Sequence, residues 1–265
     1  MPSLPSTVRG IILDMDGVLW RDADPIGDLE SIFHAFEARD LRVVLATNNS
    51  TRTAQQYVEK LADFGVVIEP SQIITSSEAL AHALRLRFPE GGRIYTLGEE
   101  GLINALREKQ FIPVGEGESS GATAVAMGMD RNITFKKLRE ATLLIRAGVP
   151  FYATNPDKTF PTPEGLIPGA GALVAALSTA TDREPIFIGK PQPSMIELAL
   201  ERLGTARENT FVIGDRLETD ILAGQNANCP TALVLSGVST LAMAEAWQPP
   251  VTLIANDLAE LVVLN

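Results

Sequence analysis

The sequence is poor in the side chains that build disulfides and soft-metal sites. It contains one cysteine, Cys229, in 265 residues, which excludes an intramolecular disulfide and a thiolate metal cage. The two histidines, His34 and His82, are too few for a histidine-rich zinc site. Both lie in stretches with helical periodicity, and we interpret them as structural or surface residues.

Long apolar runs and an excess of positive charge are also lacking. No window approaches about 18 consecutive apolar residues, so we expect no membrane span. Residues 1–7 lack a basic region followed by an apolar one, so we expect no secretory signal and a cytoplasmic location. A formal net charge of -11 argues against a nucleic-acid surface, which needs clustered Lys and Arg. A phosphorylated substrate stays compatible with that charge, because a bound metal or local cations can override the global sign.

The pattern that is present is an alternation of apolar strands and amphipathic helices. It occurs over residues 8–64 and again from residue 185 onward, and it predicts a doubly wound, mostly parallel α/β sheet. Between these stretches lies a block of about a hundred residues with α/β character of its own. We predict a core domain formed by residues 1–78 and 181–265, with an inserted α/β domain at residues 79–180.

The most informative stretch ends the first predicted strand. Residues 8–13 have the apolar density of a buried strand and are followed by Asp14, Asp16 and Gly17. Two carboxylates this close repel each other unless a cation or a shared proton lies between them. Glycine allows the backbone to turn or to approach a bound group closely. The alternative interpretation is an aspartate-rich turn without chemistry.

Polar residues also follow the second predicted strand, at residues 41–46. Thr47, Asn48 and Asn49 offer a hydroxyl, amide groups and backbone N–H groups that suit phosphate oxygens. The same residue types are favoured helix caps, so capping is the alternative interpretation.

Two later strand ends carry complementary charges. Lys190 follows the predicted strand at residues 185–188, and Asp215 and Asp220 follow the strand at residues 210–213. Because the carboxyl ends of parallel strands share one edge of a sheet, we expect all these side chains to converge. Clustered carboxylates without thiolate or imidazole favour a hard cation such as Mg²⁺. Taken singly, Lys190 could be a surface residue and Asp215 a helix cap.

The four motifs together resemble the haloacid dehalogenase (HAD) superfamily of phosphohydrolases. They are D-M-D-G-V, T-N-N, an isolated G-K-P and G-D-x-x-x-T-D, in this order. The long insertion and the T-N-P-D…F-P…G…P-G pattern at residues 154–169 resemble the NagD-like or 4-nitrophenylphosphatase-like branch. The resemblance covers essentially the whole chain and implies a Rossmann-like core with an α/β cap.

The resemblance implies a phosphatase that acts on small phosphate monoesters through an aspartyl-phosphate. Asp14 would be the nucleophile, and Asp16 would protonate the leaving group and later deprotonate water. Mg²⁺ would be held by the Asp14 carboxylate, the Asp16 carbonyl and Asp215, while Asp220 orders its waters in the outer shell. The phosphoryl oxygens would be bound by Thr47, the Asn48 N–H in the Thr47–Asn49 motif, and Lys190.

The inserted domain is expected to determine selectivity. Residues 155–171 are rich in proline and glycine and are predicted to be largely loop. Lys158 and Phe160 are our candidates for contacting the leaving group, although Phe160 could instead pack the loop. The expected partner is a small phosphorylated metabolite, with no nucleic acid and no membrane, and the resemblance suggests a homodimer formed through the cap.

Three other functions use similar residues. A receiver-type signalling module also combines an acid cluster, a threonine and a lysine, but the insertion and the second acid after Asp14 disfavour it. A phosphomutase or phosphotransferase of the same superfamily would transfer the phosphoryl group to a hydroxyl instead of water. A relative that only binds its ligand is disfavoured by the intact acids and Lys190.

Overall fold

The computed structural model describes residues 3–162 and 164–262. The chain forms two compact units. The first contains Met1–Thr47, Ala54–Ile74 and Lys190–Asn265, and the second contains Asn48–Thr53 and Thr75–Gly189. Each unit is therefore assembled from separate segments of the chain.

Helices and strands alternate along most of the chain. The helices are α1 (Leu29–Ala38), α2 (Ala54–Ala62), α3 (Ser76–Arg87), α4 (Glu100–Glu108), α5 (Phe135–Arg146), α6 (Ala170–Thr181), α7 (Ser194–Leu203), α8 (Leu222–Asn226), α9 (Leu241–Ala246) and α10 (Leu258–Val262). The strands are β1 (Gly10–Leu13), β2 (Trp20–Arg21), β3 (Asp24–Pro25), β4 (Arg42–Thr47), β5 (Ile73–Thr75), β6 (Gly92–Leu97), β7 (Phe111–Val114), β8 (Ala122–Met127), β9 (Phe151–Ala153), β10 (Thr159–Thr162), β11 (Gly165–Pro168), β12 (Ile186–Phe187), β13 (Thr210–Gly214), β14 (Thr231–Val234) and β15 (Leu253–Ala255).

The first unit is built on a six-stranded sheet in which β1 is an inner strand. The strand order is β15–β14–β13–β1–β4–β5, and β1 pairs in parallel with both β13 and β4. All four residues of β1 are buried, as is usual for a parallel strand with helices on both faces of its sheet. The predicted α/β architecture is confirmed. The sequence did not predict β5, which has three residues and lies at the sheet edge.

Helix α1 illustrates how the sequence defines an element of this unit. Asp28 precedes the helix, and its carboxylate accepts a hydrogen bond from the Ser31 N–H at 3.1 Å, which caps the first turn. The buried side chains recur at helical spacing and join the core that contains β1. They are Leu29, Ile32, Phe33 and Phe36.

The cysteine of the chain is buried in the first unit. Cys229 lies between α8 and β14 and is 6% exposed. Burial raises the pKa of the Cys229 thiol to about 11. The side chain is therefore a neutral thiol at physiological pH, which is the unreactive form.

The second unit is built on a five-stranded parallel sheet. The strand order is β12–β9–β8–β6–β7. Buried side chains of β6, β8 and β9 form a separate core with α5 and α6. Helix α5 begins after Thr134, whose hydroxyl accepts a hydrogen bond from the Lys137 N–H at 3.1 Å.

One strand lies in a different sheet from the one expected. The sequence pattern predicts that residues 185–188 return to the first sheet, but β12 pairs with β9, with Ile186 opposite Tyr152. Strand β12 is an edge strand, and Ile186 is 52% exposed. This prediction was wrong because an apolar run identifies a strand but not the strand that it pairs with. Lys190 therefore does not follow a strand of the first sheet.

Two short hairpins were not predicted from the sequence. Strands β10 and β11 pair antiparallel, with Phe160 opposite Ile167, inside the segment that was predicted to be largely loop. Strands β2 and β3 form a second hairpin, in which Trp20 lies opposite Pro25. Both ribbons are short and largely exposed, so neither shows the alternation of a half-buried strand.

Within residues 3–162 and 164–262, no helix has the length and apolar character to cross a bilayer.

Candidate active site

Two of the predicted acids lie at the ends of neighbouring strands of the first sheet. Asp14 directly follows β1, and its N–H donates to the Ile213 carbonyl at 2.9 Å. Asp215 directly follows β13. Because β1 and β13 are adjacent and parallel, with Leu13 opposite Ile213, both carboxylates lie at the same edge of the sheet.

A third acid is brought back to this edge by a turn of π-helix. The π-helix spans Leu217–Ile221, and within it the Asp220 carboxylate accepts a hydrogen bond from the Arg216 N–H at 3.1 Å. One carboxylate oxygen from each of Asp14, Asp215 and Asp220 lies within 4.8 Å of the others. These three residues form what we term the acid cluster.

Lys190 joins the acid cluster as a buried cation. Its Nζ donates to Oδ1 of Asp14 at 2.5 Å and to Oδ1 of Asp220 at 2.6 Å. It also donates to the Ala46 carbonyl of β4 at 2.9 Å. The Lys190 side chain is 3% exposed, and those of Asp14 and Asp220 are 12% and 3% exposed. The ammonium group thus links the carboxylates of Asp14 and Asp220 to the backbone of β4.

Burial is the largest cause of the raised pKa values of two acids in the cluster, Asp14 and Asp215. Burial raises the pKa of Asp14 well above its ordinary value against the opposing effect of Lys190, and Asp220 and Asp215 raise it further. Burial, together with Asp220, raises the pKa of Asp215 to about 6. Burial acts to lower the pKa of Lys190, but Asp14 and Asp220 outweigh it and the net shift is upward. Three ionised carboxylates and one ammonium leave a formal charge of minus two, which a divalent cation would neutralise.

The position of Asp215 depends on two glycines that leave room for it. A Cβ on Gly237 would lie 1.9 Å from Oδ2 of Asp215, and a Cβ on Gly17 would lie 2.5 Å from the same atom. Gly17 also has a φ of +83°, which other residues rarely adopt. The Val238 N–H donates to Oδ2 of Asp215 at 2.8 Å. The loop at residues 236–238 was not singled out in the sequence, because it contacts Asp215 through a backbone N–H, which any residue except proline supplies.

Asp16 is not one of the three residues of the acid cluster and is solvent-exposed. Its Oδ1 accepts a hydrogen bond from Nε1 of Trp20 at 2.8 Å. Asp14 and Asp16 therefore have different surroundings, although one residue separates them. A buried carboxylate beside a lysine and an exposed carboxylate beside an indole are suited to different chemical roles.

Thr47 is the last residue of β4 and is 2% exposed. Because β4 pairs in parallel with β1, with Leu45 opposite Leu13, Thr47 lies at the same sheet edge as Asp14. Thr47 therefore ends the strand that neighbours β1, the strand that Asp14 follows.

The remaining candidates belong to the second unit. Nδ2 of Asn48 donates to Asp157 Oδ2 at 3.0 Å, and Nδ2 of Asn155 donates to the same oxygen at 2.7 Å. Oδ1 of Asn49 accepts from the N–H and the hydroxyl of Thr51, at 2.9 and 2.8 Å, which is a local turn. Asp157, which receives two amide groups, was not singled out from the sequence.

The two predicted selectivity residues lie on and beside the β10–β11 hairpin. Lys158 is exposed and precedes β10. Phe160 lies within β10 and is partly exposed. Neither side chain is part of the buried core of the second unit.

Family models match both ends of the chain. The model described as haloacid dehalogenase-like hydrolase matches residues 11–112, and a second model described as HAD-hydrolase-like matches residues 187–261. The first match includes Asp14, Asp16 and Thr47, and the second includes Lys190 and the two acids that follow β13.

Named relatives match almost the full length. The chain is 36% identical over 233 residues to the 5'-nucleotidase YutF of Bacillus subtilis, covering 88% of this chain and 89% of that protein. It is 34% identical over 254 residues to the acid sugar phosphatase of Staphylococcus aureus, covering 96% of both.

Solved structures also match this chain over almost its full length. The structure of NagD from E. coli K-12 superposes with a TM-score of 0.89 at 33% identity, covering 97% of this chain and 99% of that one. The 4-nitrophenylphosphatase from Thermotoga maritima superposes with a TM-score of 0.90 at 31% identity, covering 97% of both. With these matches and the motifs described above, the chain belongs to the haloacid dehalogenase-like hydrolase family and is similar to its NagD and 4-nitrophenylphosphatase members.

Proposed function

We propose that the protein is an Mg²⁺-dependent phosphatase that hydrolyses small phosphate monoesters through an aspartyl-phosphate on Asp14. The observation that carries this proposal is the acid cluster with Lys190 buried beside it. Relatives named 5'-nucleotidase, acid sugar phosphatase and 4-nitrophenylphosphatase support the reaction class.

The acid cluster fits a hard divalent cation. Its donor atoms are carboxylate oxygens, which are the ligands that Mg²⁺ prefers, and its formal charge with Lys190 is minus two. Asp14, Asp215 and the Asp16 carbonyl would hold the ion, and Asp220 would order its waters. When bound, the ion would neutralise charge on the carboxylates and on the phosphoryl group of the substrate.

In the proposed reaction, Asp14 attacks phosphorus and takes the phosphoryl group. Attack requires the ionised carboxylate, although burial favours the neutral form. Lys190 opposes that effect because its ammonium group contacts Oδ1 of Asp14 directly. The lysine therefore supports the nucleophile as well as the phosphoryl oxygens, which we also assign to Thr47 and the Asn48 N–H.

Asp16 would supply the proton. It protonates the leaving alkoxide as the ester P–O bond breaks, and then takes a proton from the water that hydrolyses the aspartyl-phosphate. Its exposure suits exchange of that proton with solvent.

The second unit would act as the cap that selects substrates. We propose a core at residues 1–78 and 181–265 and a cap at residues 79–180, with Lys158 and Phe160 contacting the leaving group. We also propose that two copies pair through the cap. Light scattering on the purified protein would test the dimer.

The proposal is tested by measuring phosphate release from 4-nitrophenyl phosphate and from a panel of sugar phosphates, nucleoside monophosphates, phosphoglycolate and pyridoxal phosphate. We expect turnover with Mg²⁺ that EDTA abolishes. Asp14→Asn should lose turnover while keeping its thermal unfolding transition. Asp63→Asn, which alters an exposed aspartate of the same unit, should keep full activity.

Product analysis separates the proposed reaction from its relatives. Transfer of the phosphoryl group to an added alcohol without free phosphate would indicate a phosphotransferase. A phosphorylated Asp14 that persists without turnover would indicate a receiver-type module. Substantial turnover by Asp14→Asn would show that Asp14 is not the nucleophile.

A further inference from the structure

Trp20 makes a direct contact with the proposed proton donor. The indole Nε1 donates to Oδ1 of Asp16 at 2.8 Å. Trp20 is 1% exposed, whereas Asp16 is exposed. A buried, donor-only group thus holds one oxygen of a carboxylate that is otherwise in solvent.

The indole ring is fixed by aromatic and cationic neighbours of the first unit. The ring of Tyr57 stacks on it at a centroid distance of 6.3 Å and an interplanar angle of 13°. The centroid of the Phe64 ring lies 6.1 Å from that of Trp20. Nζ of Lys60 lies 3.8 Å from the centroid of the Trp20 ring and donates to the Asp22 carbonyl at 3.0 Å. The N–H of the indole therefore has a defined direction.

The backbone joins the same residues. The Gly17 N–H donates to the Trp20 carbonyl at 2.8 Å, and Asp16 and Trp20 form a β-bridge. Arg21, beside Trp20, donates through Nε to the Ser236 carbonyl at 2.7 Å. The hairpin that carries Trp20 is thus attached to the loop that contacts Asp215.

We propose that Trp20 is a positioning residue that orients the Asp16 carboxyl group for proton transfer to the leaving group. The indole N–H can only donate, so Oδ1 of Asp16 is occupied as an acceptor and the acidic proton resides on Oδ2. In the step, the Oδ2–H bond breaks and an O–H bond forms on the leaving oxygen. That oxygen takes the electron pair of the ester P–O bond as Asp14 takes the phosphoryl group. This proposal rests on the proposed function, in which Asp16 is the proton donor.

The test compares two leaving groups. The 4-nitrophenolate ion departs readily without a proton, whereas the alkoxide from an alkyl ester such as ethyl phosphate needs one. The value of kcat/KM covers the steps up to the first phosphoryl transfer, so the ratio of kcat/KM between the two esters isolates the protonation of the leaving group. Because a partly unfolded sample lowers both values equally, the ratio does not depend on the folded fraction.

Trp20→Phe keeps an aromatic ring but removes the N–H. We expect kcat/KM for ethyl phosphate to fall at least about tenfold, and the value for 4-nitrophenyl phosphate to change by less than about threefold. Phe36→Leu, which alters a buried aromatic residue of α1, should leave the ratio unchanged. An equal fall for both esters with Trp20→Phe, or no fall, would overturn the proposal.

A double-mutant cycle identifies the group through which Trp20 acts. In an Asp16→Asn background, Trp20→Phe should no longer change the ratio of the two kcat/KM values. A change that persists would show that Trp20 does not act through Asp16, and would also overturn the proposal. Failure of the proposed function is recognised separately, because the wild-type protein would then release no phosphate from either ester.

Discussion

Replacing Lys190 with methionine tests whether this cation stabilises the buried carboxylates of Asp14 and Asp220. Lys190 is 2% exposed, and its Nζ contacts both Asp14 and Asp220. Removal of one partner from a buried ion pair typically costs about 3–5 kcal/mol, because the remaining charge is left uncompensated. We therefore expect Lys190→Met to lower the free energy of unfolding of the first unit by about 3 kcal/mol or more at neutral pH in EDTA.

The pH dependence of that loss has a definite sign. Burial already raises the pKa of Asp14, and Lys190→Met removes the cation that opposes this shift. The native variant then binds protons that the unfolded chain has released, so its stability falls as the pH rises from acid to neutral. The difference in stability between wild type and variant should shrink at lower pH, where the carboxyl groups are neutral in both folded proteins.

Chemical denaturation followed by tryptophan fluorescence measures this directly. Both tryptophans, Trp20 and Trp247, belong to the first unit, so their emission reports on that unit. The matched control is Lys136→Met, which removes a surface ion pair of 3.0 Å with Glu116 and should cost less than about 1 kcal/mol by circular dichroism. If Lys190→Met unfolds at the wild-type denaturant concentration in EDTA at neutral pH, or if its loss does not depend on pH, the electrostatic reasoning is wrong.

Other predictions concern the metal site and the core. A Cβ on Gly237 would lie 1.9 Å from Asp215, so Gly237→Ala should weaken Mg²⁺ binding by at least about tenfold in calorimetric titrations. Gly115→Ala, whose Cβ would have no atom beyond its chain neighbours within 4 Å, should leave the affinity for Mg²⁺ unchanged. Burial raises the pKa of Asp215 to about 6, so the affinity for Mg²⁺ should fall as the pH drops below about 6, and a constant affinity from acid to neutral pH would contradict this. Leu45→Ala creates a cavity in β4 and should lower the free energy of unfolding by about 2–5 kcal/mol in denaturant titrations. Val67→Ala, at a 90% exposed position, should stay within about 0.5 kcal/mol of wild type.

The fold was predictable where burial imposes a period on the sequence. The four apolar residues of β1 and the helical spacing of Leu29, Ile32 and Phe36 both report a face that must be buried. Strand pairing was not predictable for β12, because the strand with which an apolar segment pairs depends on long-range contacts that the local sequence does not specify. The β10–β11 hairpin was missed because its strands are largely exposed, so their sequence does not alternate between apolar and polar residues.

The candidate site shows the same division between local and long-range information. Motifs and strand ends indicated which side chains to consider, including Asp14 and Lys190. They could not show that Lys190 contacts Asp220 as well as Asp14, because that contact depends on the π-helix after β13. The hydrogen bond from Trp20 to Asp16 could not be predicted either. It depends on the β2–β3 hairpin, whose strands are too short to show a periodic pattern of apolar residues.

The buried cysteine offers a natural reporter of opening in one half of the molecule. Because Cys229 is shielded and its thiol keeps its proton, reagents that modify thiols can reach it only when the surrounding structure opens. The rate of its alkylation therefore measures how often the first unit opens, and the second unit contributes no background signal because it contains no cysteine. Native enzyme should also work without reducing agents, since no accessible sulfhydryl group needs protection.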